Sequence, residues 1–97
     1  MNSDAKKVAV LGGGSFGTSI ANILADNGHQ VRLWMRNQDT VHDIATIHEN
    51  TRYLPGKKLN PSIIPTTCLE TAVVSADLLF VAIPSKAFQS VVQDAAQ

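Results

Sequence analysis

Residues 8–17 read VAVLGGGSFG, and this stretch decides the fold. Its four leading apolar residues predict a buried parallel strand, and the glycines that follow form the pattern G-x-G-x-x-G. Gly12 permits a tight turn, Gly14 lets a phosphate approach the backbone, and Gly17 lets the next helix pack closely against the strand. The free amides and the positive dipole end of that helix then face the phosphates. A strand that runs through this turn into a helix predicts dinucleotide binding.

The composition describes one ordinary α/β unit. The chain has 97 residues, of which 44% are hydrophobic and 16% charged, as in folded domains. Eight basic and eight acidic side chains cancel, so we expect no nucleic-acid or membrane-surface partner. The single cysteine, Cys68, excludes an internal disulfide and favours a cytoplasmic location. The first apolar run stops at Leu11, which is too short for a signal peptide or a membrane span.

Strand and helix periods alternate along the chain. Strands are predicted over 8–11, 30–35, 63–68 and 78–83, and helices over 15–27, 37–50, 70–75 and from 85 onward. Right-handed crossovers between these strands give a Rossmann-type parallel sheet of order 3-2-1-4. The unbroken apolar run over 78–83 predicts a strand buried on both faces.

Local signals refine the two longer helices. Asn37 is a predicted N-cap of the second helix, and Gly28 is predicted to end the first in the left-handed conformation. Helical spacing predicts that the large apolar side chains of both helices face the core. These are Phe16, Ile20, Ile23 and Leu24 in the first helix and Val41, Ile44, Ala45 and Ile47 in the second. Ala21 and Ala25 of the first helix are small enough for close approach to the sheet.

A doubly wound domain normally adds strands beyond the fourth. We therefore expect residues 1–97 to be the N-terminal part of a dinucleotide-binding domain, lacking the later strands and any second domain. The fourth strand would then be an unprotected apolar edge, which predicts self-association and a homo-oligomer.

The residue after the second strand decides the cofactor class. A Walker A loop requires a lysine where this chain has Thr18, which excludes a nucleoside triphosphatase of that type. Both NAD-preferring sites and sulfonium-nucleoside methyltransferases favour a carboxylate after the second strand. This chain has Arg36 there, and an arginine can bind a 2′-phosphate with its forked donors. The sequence therefore favours NADP, with NAD still possible.

No other side chains form a recognisable catalytic or metal-binding arrangement. The three histidines lack metal-ligand spacing and are interpreted as surface residues, and the acidic residues of the helices as solvated charges. Cys68 is predicted to be a small buried residue in a strand, and Trp34 to pack at a strand end. The histidines interpreted as surface residues are His29, His42 and His48. The side chains interpreted as solvated charges are Asp26, Asp43 and Glu49 in the helices and Lys57 and Lys58 in a loop.

Four segments together resemble the N-terminal domain of bacterial NAD(P)-dependent glycerol-3-phosphate dehydrogenases. They read GGGSFGT over 12–18, LWMR over 33–36, NTRYLPGKKL over 50–59 and VAIPSKAF over 81–88. The third segment is the most discriminating, because Rossmann proteins in general do not need it.

The resemblance implies hydride transfer between NAD(P)H and dihydroxyacetone phosphate, which gives sn-glycerol 3-phosphate for phospholipid synthesis. It implies that Ser15 and Phe16 line the pyrophosphate turn, and that Arg36 binds the adenosine phosphate. It places Tyr53 beside the cofactor and Phe88 near the adenine. The catalytic lysines and the substrate-phosphate site of the family come later than this chain, so we expect no turnover from these 97 residues alone.

Two other interpretations stay open from the sequence. One is a reductase of the 2-hydroxyacid or ketopantoate type built on the same N-terminal unit, although the loop over 50–59 argues against it. The other is a non-catalytic module that senses redox state through a bound nicotinamide cofactor. Such a module needs a partner-binding segment, and no basic patch supports one.

Overall fold

The computed structural model describes residues 5–82, which form a parallel sheet with helices on both faces. The strands are β1 (Lys7–Leu11), β2 (Gln30–Trp34), β3 (Ile64–Thr66) and β4 (Leu78–Val81). The helices are α1 (Ser15–Asp26), α2 (Gln38–Ile47) and α3 (Leu69–Val73). The sheet order is β3-β2-β1-β4 with every pair parallel, which confirms the predicted topology.

The two central strands bury both of their faces. On one face Val10 and Leu33 are fully buried and pack with Ile44 of α2. On the other face Leu11 and Trp34 pack against Ala72 of α3. Alternate residues of a strand point to opposite faces, so two short strands supply both halves of the core.

The inward face of α1 differs from the prediction. Its buried residues are small or polar: Gly17, Thr18, Ala21, Asn22 and Ala25. The close approach to the sheet predicted for Gly17, Ala21 and Ala25 is confirmed, because all three are buried. Ile23, which the spacing placed on the core face, is 55% exposed, and Phe16, for which the spacing left a core position open, is 62% exposed. The helix lies so close to the sheet at Gly17 that an added Cβ would overlap the carbonyl oxygen of Gly12. Large side chains cannot fit in that contact, and small residues occupy it instead.

Helix α2 is shorter than predicted and buries fewer apolar residues. Asn37 caps it as predicted, since its Oδ1 accepts from the Thr40 N–H at 3.0 Å. The helix stops at Ile47 rather than near 50, because His48 adopts the left-handed conformation with φ 57°. Ile44 is buried, whereas Ala45 and Ile47, also predicted to point inward, are exposed.

The prediction that the fourth strand is buried on both faces is wrong for the described part of it. Leu78, Leu79, Phe80 and Val81 are 37–55% exposed. Within residues 5–82 this strand pairs on one side only, with β1. The predicted last helix and Ile83 lie outside the described residues.

Candidate functional site

The chain turns sharply between β1 and α1, and the glycines there have different physical reasons. Gly12 has φ 124°, which side-chain-bearing residues rarely adopt, and its N–H donates to the Trp34 carbonyl at 2.9 Å. Gly17 is needed for the close contact with Gly12 described above. Gly14 has ordinary extended backbone, with φ −73°, and a Cβ added to it would meet nothing within 4 Å. The space beside Gly14 is therefore open to a ligand.

The N-terminus of α1 adjoins this open space. Its N-cap is Gly14, no side chain caps the helix, and its first turn contains no acidic residue. The first intrahelical bond runs from the Thr18 N–H to the Gly14 carbonyl at 3.0 Å, so the preceding amides lie before the regular ladder. Ser15 and Phe16 are exposed at this end of the helix. An uncapped helix N-terminus carries partial positive charge and binds anions.

Trp34 and Arg36 stand at the carboxyl end of β2, beside the turn. Trp34 is buried, and its Nε1 donates to the Thr67 carbonyl at 3.0 Å, which confirms that it packs at the strand end. Arg36 is exposed, and its Cζ lies 5.8 Å from the centroid of the Trp34 ring. This distance is within the range of a cation–π contact. The guanidinium is therefore held near the strand end with its donors accessible.

A cleft of about 330 Å³ joins these elements at the carboxyl end of the sheet. Gly14, Arg36 and Tyr53, three of the predicted site residues, line it together. Its other lining residues are Gly13, Met35, Asn37, Thr40 and Ala82. Open α/β sheets bind their ligands at this end of the strands. A second hollow, of about 270 Å³, lies near the opposite strand ends beside Gly28 and His29.

The other predicted site residues lie beside the cleft or outside the described chain. Ser15 and Phe16 begin α1 next to Gly14, and the Phe16 ring centroid is 6.4 Å from that of Phe80. Gly12 and Gly17 are buried beneath the turn. Phe88 lies outside the described residues.

Comparison with known proteins identifies the family of this site. The model of the NAD-dependent glycerol-3-phosphate dehydrogenase N-terminus matches residues 7–97. This chain belongs to that family. It is 50% identical, over all 97 residues, to a glycerol-3-phosphate dehydrogenase [NAD(P)+] of Alcanivorax borkumensis. It is 56% identical over 84 residues to the protein of that name from Pseudomonas syringae pv. tomato, with 87% of this chain covered.

Solved structures of this family share the fold. The glycerol-3-phosphate dehydrogenase of Plasmodium falciparum superposes with a TM-score of 0.87 at 30% identity, over 95% of this chain. That of Coxiella burnetii gives 0.83 at 32% identity, over 91% of this chain. The chain spans 28% and 27% of those two structures, and 28% and 25% of the two bacterial relatives above.

Sequence reasoning missed Asn50. It was quoted only as the first residue of the segment NTRYLPGKKL, and no role was predicted for it. Its side chain is fully buried. Its Nδ2 donates to the Gly13 carbonyl and to the Thr18 Oγ1, each at 2.8 Å, and its Oδ1 accepts from the Tyr53 N–H at 3.1 Å. One amide thus connects the glycine turn, α1 and the loop that carries Tyr53. The signal available in the sequence was a polar residue just before the Y-L-P-G loop.

Three carboxylates interpreted as solvated charges also accept hydrogen bonds from the loop over 50–60. Asp26 Oδ1 accepts from Asn60 Nδ2 at 3.0 Å, Asp43 Oδ2 from Thr51 Oγ1 at 2.7 Å, and Glu49 Oε2 from the Gly56 N–H at 3.1 Å. A lysine interpreted as solvated also takes part, since Lys58 Nζ donates to the Ile47 carbonyl at the end of α2. The loop is therefore tied to both helices that flank the cleft.

Cys68 is not the buried strand residue that was predicted. It is exposed and precedes α3 as its N-cap, because β3 ends at Thr66. Two hydrogen bonds with Thr71 lower the pKa of the Cys68 thiol below its usual value. The larger effect comes from the Thr71 side chain and the smaller from its backbone. Cys68 is not among the residues that line the cleft.

The described residues offer no other candidate chemistry. Between residues 5 and 82 no three histidine, cysteine or carboxylate side chains cluster as a metal site would require. His29 uses its Nδ1 to accept from the Lys6 N–H at 3.0 Å. In that same part of the chain, no helix has both the length and the apolar character to cross a bilayer.

Proposed function

We propose that this chain binds a nicotinamide dinucleotide in the cleft between the glycine turn and Arg36, with NADP(H) preferred over NAD(H). One observation carries the proposal: an uncapped helix N-terminus and an accessible guanidinium border the same cleft. The first suits a pyrophosphate and the second a 2′-phosphate. The family match to an NAD-dependent enzyme's N-terminus supports the cofactor class.

The residues present fit such a cofactor. The open side of Gly14 leaves room for a phosphate against the backbone, and no acidic residue occupies the first turn of α1. In this proposal Ser15 and Phe16 border the pyrophosphate, Arg36 binds the 2′-phosphate and Tyr53 borders the cofactor from its loop. Phe88 is proposed to lie near the adenine on the strength of the family resemblance alone.

We propose that the full-length protein reduces dihydroxyacetone phosphate reversibly to sn-glycerol 3-phosphate. The nicotinamide, when bound, supplies or accepts the hydride. The residues of this chain bind and orient the cofactor, and none is assigned a catalytic role. The names of the relatives, glycerol-3-phosphate dehydrogenase [NAD(P)+], support this activity and both forms of the cofactor.

We further propose that residues 1–97 are part of one dinucleotide-binding domain, and that the protein is a cytoplasmic homo-oligomer. Within residues 5–82 the apolar strand β4 is exposed and pairs on one side only, which supports association with further protein, because such a strand edge pairs readily. The single cysteine in the sequence is compatible with a reducing compartment. Light scattering over a range of concentrations tests the association, and a strictly monomeric species would contradict it.

Titration calorimetry with NADPH and with NADH, at one fixed salt concentration, tests the cofactor proposal. Tighter binding of NADPH is the expected result. Equal affinities would contradict the role of Arg36, and binding of neither would contradict the cofactor site. The substrate is tested by the rate at which the full-length protein oxidises NADPH. That rate is measured with dihydroxyacetone phosphate and compared with the rates for 2-oxoacids and for ketopantoate. Oxidation with another substrate alone would overturn the proposed reaction.

A further inference from the structure

We infer that Asn50 is a positioning residue that orients the peptide between Gly13 and Gly14, so that the Gly14 N–H faces the bound pyrophosphate. The inference rests on the proposed dinucleotide binding and adds to it a residue that acts through the backbone. Asn50 does not line the cleft, so it reaches the cofactor only through the groups it holds.

The hydrogen bonds of Asn50 determine the direction of that peptide. The Gly13 carbonyl accepts from Asn50 Nδ2 at 2.8 Å, and Thr18 Oγ1 lies 3.4 Å from the same oxygen. The bond between Gly13 and Gly14 is trans, so its C=O and N–H point in opposite directions. Holding the carbonyl toward the buried amide therefore turns the Gly14 N–H away from the protein interior.

The peptide needs such an anchor because it joins two glycines. A peptide with glycine on both sides can rotate into several conformations that side chains would otherwise exclude. A Cβ on Gly14 would meet nothing within 4 Å, so the turn is open on that side, whereas Met35 packs against Gly13 on the other. The bond from Asn50 thus selects one orientation before the ligand arrives, which reduces the entropic cost of binding.

The remaining bonds of Asn50 fix its own amide. Its second Nδ2 hydrogen goes to Thr18 Oγ1 at 2.8 Å, and its Oδ1 accepts from the Tyr53 N–H at 3.1 Å. A donor and an acceptor on opposite sides leave one orientation of the amide that satisfies both. Because Tyr53 lines the cleft, the side chain of Asn50 also connects the glycine turn to the loop that borders the cleft.

Two ligands and a matched pair of variants test this role in the full-length protein. NADPH carries a pyrophosphate, whereas adenosine 2′-monophosphate carries only the group proposed for Arg36. Asn50→Ala removes the shorter of the two hydrogen bonds to the Gly13 carbonyl and leaves the longer one from Thr18 Oγ1. Asn22→Ala is the control, because Asn22 is also a buried asparagine whose Oδ1 accepts from a backbone N–H of the same loop, that of Asn60 at 2.8 Å. Within residues 5–82, Asn22 makes no hydrogen bond to the glycine turn.

We expect Asn50→Ala to weaken NADPH binding by about ten- to hundredfold, the effect of one misdirected phosphate hydrogen bond. Binding of adenosine 2′-monophosphate should change by less than about threefold, and Asn22→Ala should leave both ligands within that range. Thermal unfolding establishes that each variant is folded at the assay temperature. If Asn50→Ala is not, Asn50→Ser replaces it, since a shorter polar side chain withdraws the amide donors without leaving an apolar pocket.

Each contrary result has one meaning. Unchanged NADPH affinity in a folded Asn50 variant, with the original protein binding normally, overturns the inference and leaves the cofactor site intact. Equal weakening of both ligands, or equal weakening by Asn22→Ala, overturns it in favour of a general effect on the loop. Absence of NADPH binding to the original protein overturns the proposed function itself.

Discussion

The guanidinium carbon of Arg36 lies 5.8 Å from the centroid of the Trp34 indole ring. The ring is itself fixed, because it is buried and its Nε1 donates to the Thr67 carbonyl at 3.0 Å. A guanidinium resting on a fixed ring samples fewer conformations, so less entropy remains to be lost when a phosphate binds. This pair supports the role proposed above for Arg36, in which its guanidinium binds the 2′-phosphate.

Replacing Arg36 should therefore change cofactor preference. We expect Arg36→Ala to weaken NADPH binding by about 1.5–3 kcal/mol, the usual contribution of a hydrogen bond to a charged group. NADH, which lacks the 2′-phosphate, should be affected much less. Calorimetric titration of both cofactors measures the difference. Arg52→Ala is the matched charge control, because Arg52 also lies over an aromatic ring, that of Tyr53, at 5.5 Å. Equal losses for the two cofactors would contradict the assignment.

Gly17 should be required for stability. A Cβ at this position would overlap the Gly12 carbonyl oxygen, which is backbone and cannot move aside cheaply. We expect Gly17→Ala to lower the free energy of unfolding by about 3 kcal/mol, at the upper end for an overpacked site. Chemical denaturation measures this change. An unfolding free energy equal to that of the original protein would show that α1 can shift away from the sheet.

Gly14 should be required for binding and not for stability. Alanine can adopt the φ of −73° found at Gly14, and a Cβ added there would meet no atom within 4 Å. We expect Gly14→Ala to lower the free energy of unfolding by no more than about 1 kcal/mol, because Gly14 is the N-cap of α1 and alanine is less favourable there. Its NADPH affinity should fall by about tenfold, because the methyl group occupies the space proposed for a phosphate. Calorimetry and denaturation of the same sample separate the two effects, and unchanged affinity would move the phosphate elsewhere.

The cap of α2 should contribute measurably to stability. Asn37 Oδ1 accepts from the Thr40 N–H at 3.0 Å, and Thr40 is buried. We expect Asn37→Ala to cost about 1 kcal/mol of unfolding free energy, the typical value for a lost N-cap. Asn37→Asp keeps an acceptor oxygen at the cap, so its stability should be close to that of the original protein. Equal destabilisation by both variants would contradict a capping role.

The thiol of Cys68 should react faster than that of an ordinary exposed cysteine. Hydrogen bonds from Thr71 favour the thiolate and lower the pKa of Cys68, so more thiolate is present at any pH below the pKa. The alkylation rate by iodoacetamide, measured against pH, should have its midpoint below that of an unstructured cysteine peptide. Thr71→Val removes the side-chain hydrogen bond and should move the midpoint to higher pH. An unmoved midpoint would contradict Thr71 as the cause.

The glycine turn and the order of the strands could be predicted because their causes are local. Gly12 must adopt a positive φ, and parallel strands joined by right-handed crossovers leave few topologies. The Asn37 cap is equally local, since an N-cap bonds three residues ahead. Each of these features depends on a few neighbouring residues, so the chain itself carries the information.

The faces of the helices could not be predicted in the same way. Helical spacing marks Phe16 and Ile23 as one apolar stripe, yet both are exposed while Thr18 and Asn22 are buried. The distance between α1 and the sheet decides this, and that distance is set by the contact between Gly17 and Gly12. A hydrophobic period records which residues share a face and not how close that face lies to another element.

The sequence by itself determined the parallel sheet, the glycine turn and the arginine at the end of β2, because dihedral preference, period and position along a strand fix them. Only the tertiary structure decided that Asn50 is buried between the turn and the loop, and that Asp26, Asp43 and Glu49 bind backbone or side-chain donors of that loop. The sequence does not show whether a polar side chain forms its hydrogen bonds with water or with another part of the chain. Which of the two does so depends on the packing that folding brings about.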